Sequence, residues 1–466
     1  MVTNIVVMII YFAITIGIGL YFGKKKTETS SDYTVGGRTF GPVLMFFTMM
    51  ATIVGASSVM GATSYWAIRG MSQIWFFVGG VMANFIYLFY LGPKINKFGR
   101  EQGGETIGDW FQFRYGKASK YIASVFIALA YIAILAFQYL AMGTILNMIT
   151  GINFTACLII SAVIVVIYTS FGGFWSVAST DVLQGAMTWL GVVALGIIFL
   201  VRGGGAQNLF DSLTPAQTSP FGIVTPWNAF ASMLTLGLGI VSWPDIWQRV
   251  YAAKSPKVFQ KSFGAYIFAN LFLTAAVMFL GFASIKLMAG YDGGANGLLP
   301  AMIMKYLPNV FGAILLAALM AVIMGSADSV LLISAVIVSK DLIEPLMKRD
   351  KDDAFLMKMR KIVTGIVGLA TLIVLMFSTD MFALWVMSAD ITGATLAVPI
   401  LIGFVWKKPS ESATIASIVA GFAGWLLWTI VPNFLGLAIS AILPGAVLSL
   451  VAYVVVAFVA PAKAKI

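Results

Sequence analysis

The chain has 466 residues, 60% of them hydrophobic and 10% charged, with a mean hydropathy of +0.96; this is the composition of a polytopic membrane protein, not of a soluble enzyme. It has no histidine and one cysteine, Cys157, which excludes an internal disulfide, zinc sites of the usual kind and histidine-based catalysis. No phosphate-binding loop of the G-x-x-x-x-G-K-S/T type occurs, so nothing points to ATP hydrolysis by the chain itself.

In order, thirteen apolar segments can be drawn, at 3–22, 42–69, 71–93, 120–149, 153–171, 180–201, 226–248, 262–289, 308–338, 362–379, 382–405, 411–431 and 434–460. Connections are mostly short, so residues 1–466 read as one membrane domain. The first segment lacks a basic residue before it, has Lys24, Lys25 and Lys26 after it, and has no A-x-A-like site. It reads as a retained span with its N-terminus outside, not as a signal peptide. In that orientation 25 of the 29 lysines and arginines fall on cytoplasmic segments. Only Arg69, Arg202, Lys286 and Lys305 fall outside, and the C-terminus is cytoplasmic. The net charge of +11 is therefore a topology signal and not a nucleic-acid surface. Residues 94–119 mix aromatics with basics and read as a short interfacial helix. The acid–base mixture from Asp341 to Lys361 reads as a solvated helical arm.

The second segment, Phe46 to Trp66, is free of charge, yet Thr52, Gly55, Ala56, Ser57, Ser58 and Gly61 fill its middle. Small residues allow close helix packing. Gly55 and Gly61 also let the helix open, at about 1 kcal/mol each relative to alanine, and an opened helix frees carbonyls for a cation. The sixth segment opens on Phe171-Gly-Gly-Phe and carries Asp181, an acid that wants a cation if it is buried. The seventh, Leu234 to Arg249, is interrupted by Gly237, Gly239 and Pro244. The ninth holds Gly325-Ser-Ala-Asp-Ser: Ser326 and Ser329 share a face, Asp328 lies off it, and their oxygens suit hard cations such as sodium. The eleventh carries Asp390, an acid with no lysine or arginine in a nearby span.

Segments two to six and seven to eleven form two blocks of five, which must cross the membrane in opposite senses. Residues 42–201 and 226–405 are then inverted repeats with discontinuous first helices, after a leading helix at 3–22 and before two trailing helices at 411–460. Such repeats place a binding site at mid-membrane between the two broken helices.

Several stretches carry a resemblance. Asp32-Tyr-Thr-Val-Gly-Gly-Arg38, Tyr168-Thr-Ser-Phe-Gly-Gly-Phe with Thr180-Asp-Val-Leu-Gln, Trp243-Pro-Asp-Ile-Trp-Gln-Arg-Val-Tyr-Ala-Ala-Lys-Ser255, and Gly325-Ser-Ala-Asp-Ser with Lys340-Asp-Leu resemble the sodium/solute symporters. That family includes transporters of proline, sugars, sialic acid and pantothenate. The match runs in order over nearly the whole chain. It implies the fold of the leucine transporter and sodium-coupled uptake by alternating access. It also implies a principal sodium site from the carbonyls of Ala51, Val54 and Val322 and the hydroxyl of Ser326. Gly325 stands where the family often has a second hydroxyl. A second sodium site would draw on Asp181, Asp328 and Ser329, with Asp328 where the sialic acid transporters have a serine ligand. Solute contacts would come from Ser57, Ser58, Trp243 and span eleven with Asp390. Small serines beside a bulky tryptophan favour a compact solute, and Asp390 favours an amino-bearing one.

The expectation is thus a sodium-coupled symporter in a bacterial inner membrane, without cofactors, whose partners are a small solute, sodium and lipid. A proton-coupled symporter and a transporter-like sensor are the alternatives. No repeated pore segment suggests a channel, and no nucleophile–base pair suggests an enzyme. The orientation has a direct test. In a Cys157→Ser background, a cysteine placed in 205–220 should react with an impermeant thiol reagent from outside, and one in 350–356 should not. The opposite labelling pattern refutes the topology.

Overall fold

The computed structural model describes residues 2–347, 352–376, 381–431 and 439–460, without side chains at 381–383. The ends of the expected tenth and thirteenth segments, 377–379 and 434–438, lie outside the described residues. The main helices are α1 (Val2–Lys26), α2 (Pro42–Ile53), α3 (Ala62–Arg69), α4 (Ile74–Ile86), α5 (Ile107–Arg114), α6 (Lys117–Thr150), α7 (Phe154–Arg202) and α8 (Pro226–Ser242). They continue as α9 (Pro244–Ala252), α10 (Pro256–Leu287), α11 (Asn309–Val336), α12 (Asp353–Val374), α13 (Met381–Thr392), α14 (Val398–Val405), α15 (Glu411–Ile430) and α16 (Ile442–Val459). Hydrocarbon offers the backbone no water, so apolar runs close their hydrogen bonds within helices. Among the described residues the extended structure is an isolated bridge between Phe40 and Ala253.

Nine helical stretches among the described residues are long and apolar enough to cross a membrane, or ten if the bent pair α8–α9 is one span. The difference from thirteen has plain causes. Residues 57–102 and 154–202 each run through two expected segments, and α12 carries too many charges in its first turns to qualify. Within α7 the chain turns at Gly173, with φ 57° and ψ −143°, where a β-carbon would lie 2.5 Å from the Tyr33 ring. Only glycine fits there.

Both expected discontinuities are present. α2 stops at Ile53 and Val54 is extended (φ −93°, ψ 94°) before a π-helical turn at Ser57–Gly61 leads into α3. α8 stops at Ser242, Trp243 is extended (φ −73°, ψ 114°), and α9 leaves at 43°. Pro244 makes this second break, because it has no amide proton and starts a helix well. Gly237 and Gly239, expected to interrupt the helix, instead let it pack closely. β-Carbons there would lie 3.2 Å from Gly79 O and from Ala389 Cβ respectively.

The core is built around α11, buried without interruption from Leu315 to Ile337. α7, α6, α1 and α12 pack around it. Enclosure on all sides is what lets α11 hold Ser326, Asp328, Ser329 and Ser334.

The end bearing residues 94–119 and 337–346 is closed by charges, which corrects the solvated arm expected there. Lys340 reaches Glu105 at 2.7 Å and Asp109 at 2.9 Å, and Lys120 reaches Asp109 at 2.9 Å and Asp341 at 3.1 Å. Asp341 is fully buried and also accepts from Thr106 at 3.0 Å and Ser124 at 3.1 Å. Arg360 is buried too, donating to Ser30 O at 2.7 Å and to the Thr34 hydroxyl. Burial pushes the Glu105 and Asp109 carboxyls up. Lys340 beside both, and Lys120 beside Asp109, overcome this and hold them below the ordinary carboxylate range.

The stability from such depressed carboxylates is present above their unfolded values, about pH 4, and is lost as pH falls below that. Thermal unfolding in detergent should therefore hold from pH 7 to about 5 and weaken below about 4. Lys340→Ala should lower stability at pH 7 by up to the roughly 3–5 kcal/mol of breaking a buried pair, and should flatten the acid limb. A variant as stable as the native chain at pH 7 would show the network to be idle.

Candidate functional site

The last carbonyls of a helix have no intrahelical amide to accept from, so those of Ala51, Thr52, Ile53 and Val54 are released where α2 ends. Of these, Ile53 O takes the Ser58 hydroxyl at 3.5 Å. α11 passes directly against this break, and two glycines make the approach. A β-carbon at Gly55 would lie 2.7 Å from Ser326 Oγ and 2.6 Å from Gln138 Nε2. One at Gly325 would lie 2.8 Å from Ala51 Cβ and 3.2 Å from Ala51 O. Gln138 of α6 ties the parts together, donating to Ser326 Oγ at 2.6 Å while its Oε1 accepts from Ala56 N at 3.2 Å. Ala51, Val54, Gly325 and Ser326 thus meet at the break, and Val322 lies one turn earlier on buried α11.

Gln184 was not singled out from the sequence. Its Nε2 donates to the Tyr11 hydroxyl at 3.4 Å, while its Oε1 is buried without a partner. That oxygen would lie 3.3 Å from a β-carbon on Gly325, on the side where the family pattern has its second hydroxyl.

A second polar cluster lies beside the first. Asp181 Oδ2 accepts from Thr48 at 2.5 Å, Tyr168 donates to Asp328 Oδ2 at 2.7 Å, and Ser329 shares a hydrogen bond of 2.9 Å with Thr52. Ser329 also donates to Gly325 O at 2.9 Å. Into this cluster comes Arg249 of α9, fully buried, with Nη2 at 2.5 Å from Ser329 Oγ and 3.5 Å from Asp181 Oδ2. The acids at 181 and 328 therefore have a basic neighbour, although the charge count assigned Arg249 to the cytoplasmic side.

The expected solute contacts separate. Ser57 faces a small void of about 20 Å³ with Trp243, Asp245 and Ser326. Ser58 lines a largely apolar cavity of about 410 Å³ with Trp66, Phe77, Asn84, Trp243 and Trp385. Trp243 and Trp385 line both spaces. Trp243 Nε1 and Asn84 Oδ1 are buried without partners, a donor and an acceptor left for a guest. Asp390 is elsewhere, in a cavity of about 660 Å³ shared with Arg69, Asn228, Thr235 and Trp425. Its Oδ1 accepts from Thr235 at 2.8 Å. Arg69, counted in the sequence as an outer-loop charge, thus shares a cavity with Asp390.

Known proteins resemble this chain over its full length. The osmoregulated proline transporter OpuE of Bacillus subtilis is 25% identical, over 98% of this chain and 95% of its own. The sodium/pantothenate symporter of Escherichia coli is 26% identical, over 96% and 95%. A solved structure of a Na+-coupled sialic acid symporter, described as substrate-bound and outward-open, superposes with a TM-score of 0.85 at 20% identity, covering 99% of each chain. MhsT in complex with L-phenylalanine superposes with a TM-score of 0.59 at 14% identity, over 89% and 98%. The likeness to these two structures is one of fold, with the two broken helices described above. Residues 33–421 match the model of the sodium:solute symporter family, and the chain belongs to that family of sodium-coupled membrane transporters of small solutes.

Proposed function

We propose that the chain imports a small amino-bearing solute together with sodium, by alternating access, and that sodium binds where α2 breaks against α11. The observation that carries this is the meeting of released α2 carbonyls with Ser326 across two glycines. In this reading the carbonyls of Ala51, Val54 and Val322 and the hydroxyl of Ser326 are ligands. Gln184 Oε1, buried and unpartnered, supplies the oxygen that Gly325 lacks. These are all hard oxygen donors, as sodium requires. Sodium there fixes the broken half-helix to α11, so the solute space beside it is shaped only when the ion is bound.

The amino-bearing solute is inferred from Asp390 and Arg69 on one cavity. A carboxylate suits an ammonium and a guanidinium suits a carboxylate, so the pair fits a small zwitterion. The apolar space between Trp243 and Trp385 is a separate cavity beside the α2 break, and serves as a second station for the same solute. Two relatives named above are described as carriers of proline and of pantothenate.

Proteoliposomes should accumulate an amino-bearing solute under an inward sodium gradient, and not when choline replaces sodium. Ser326→Ala should raise the half-saturating sodium concentration on the order of tenfold, about 1.4 kcal/mol. It should leave solute affinity near native at saturating sodium. Equal uptake in sodium and choline would overturn the coupling. Asp390→Asn keeps the shape and removes the charge; it should weaken solute binding at least about tenfold while sodium binding persists. Native affinity in that variant would remove Asp390 from the solute's path.

A further inference from the structure

Arg249 occupies the place a second coupling ion would need, and we propose that its guanidinium is itself the second cation, a tethered charge that limits this chain to one sodium per solute. The inference rests on the sodium-symport reading above and concerns the neighbouring cluster of Asp181, Asp328 and Ser329.

A hard cation must gather several oxygens around itself. Here most of those oxygens are already engaged. Asp181 Oδ2 takes Thr48 at 2.5 Å and faces Arg249 at 3.5 Å. Asp328 Oδ2 takes Tyr168 at 2.7 Å, and its Oδ1 stands 3.3 Å from Ser329 Oγ. Ser329 Oγ accepts from Arg249 at 2.5 Å while it donates to Gly325 O at 2.9 Å. With the Ser329 proton on Gly325 O, Asp181 Oδ1 and Asp328 Oδ1 are the oxygens of these three side chains left open, and two oxygens do not make a shell.

The arginine is built into this position. It is fully buried, lies over the Phe174 ring at 4.9 Å, and is steadied through Nη1 by Gln248 Oε1 at 3.1 Å and Asp245 O at 3.4 Å. A guanidinium does not lose its proton in a protein, so its charge is permanent. A sodium ion entering the cluster would meet that charge at close contact, where little water screens it. Arg249 is carried on α9, the half-helix that follows the break at Trp243. Motion of α9 away from α11 would withdraw a positive charge from Asp181 and Ser329, as departure of an ion would.

The test counts sodium bound per chain, using radioactive sodium on purified protein in detergent, with folding checked by thermal unfolding. The native chain should bind one. Arg249→Gln, which vacates the cluster without losing much volume, should bind two. Arg249→Lys restores a tethered cation and should return the count to one, as should the double variant Arg249→Gln/Asp181→Asn. Two ions on the native chain, or one on folded Arg249→Gln, overturns the proposal. No ion on the native chain instead defeats the sodium-symport reading on which it rests. Should Arg249→Gln fail to fold, Asp181→Asn in the native background decides: one ion bound at native half-saturation supports the tethered cation, and loss of the ion or a tenfold weaker half-saturation overturns it.

Discussion

Everything in this molecule follows from the need to satisfy polar groups where there is no water. A helix in hydrocarbon can stop midway only if its freed carbonyls and amides meet partners inside the protein. α2 and α8 both stop midway: α11 and α6 meet the break in α2, and Tyr87 and Trp247 donate to Val241 O at the end of α8. Gln138 ties the α2 break to α11, accepting from Ala56 N and donating to Ser326 Oγ. Because α11 is enclosed along its length, its hydroxyls and its aspartate are held toward protein and away from lipid.

Glycine decides how near these parts come. Gly55 and Gly325 sit at the crossing of α2 and α11, and Gly237 and Gly239 bring α8 against α4 and α13. Each glycine within a helix costs about 1 kcal/mol against alanine, so Gly325, Gly237 and Gly239 must be offset by what close approach allows. At the crossing that is a cluster of oxygens without a bulky side chain between them. Between α8 and α4 it is dispersion between backbones, the main attraction left once lipid has removed the hydrophobic effect.

The fold was legible because hydropathy states the membrane's demand directly. Runs of apolar residues gave the helices, and small polar residues inside such runs gave the break at Gly55 and the cluster at Ser326. The buried charges were not legible for a common reason. Counting lysines and arginines by segment assumes that a basic residue near a segment's end reaches water. Arg249 does not, since α9 begins at a break inside the protein and residue 249 is only about 7.5 Å beyond it at 1.5 Å per residue. Asp341, Lys340 and Arg360 were read as solvated for the same reason, yet they pair within a closed end of the bundle. Which segments lie side by side is not written in hydropathy, so the shared cavity of Arg69 and Asp390 was out of reach. Gln184 had a weak signal, an amide one turn after Asp181 in an otherwise apolar span.

The two breaks do not act separately, and Ser329 is the reason. Its hydroxyl is shared with Thr52 at the end of α2, at 2.9 Å, and accepts from Arg249 on α9 at 2.5 Å. A hydroxyl has one proton and two lone pairs, and here four neighbours compete for them once Gly325 O and Asp328 Oδ1 are included. If α9 withdraws Arg249, Ser329 is left with a free lone pair in a dry interior and Asp181 loses its nearest positive charge. An unpaired charge of that kind costs several kcal/mol, so the cluster must rearrange or recruit a cation. The rearrangement has a short way to travel, since Thr52 lies one residue beyond Ala51 and Gly325 O belongs to the turn that holds Ser326. The half-helix that lines the proposed solute space therefore bears, through one serine, on the helix end where the carbonyls of the proposed sodium site are released.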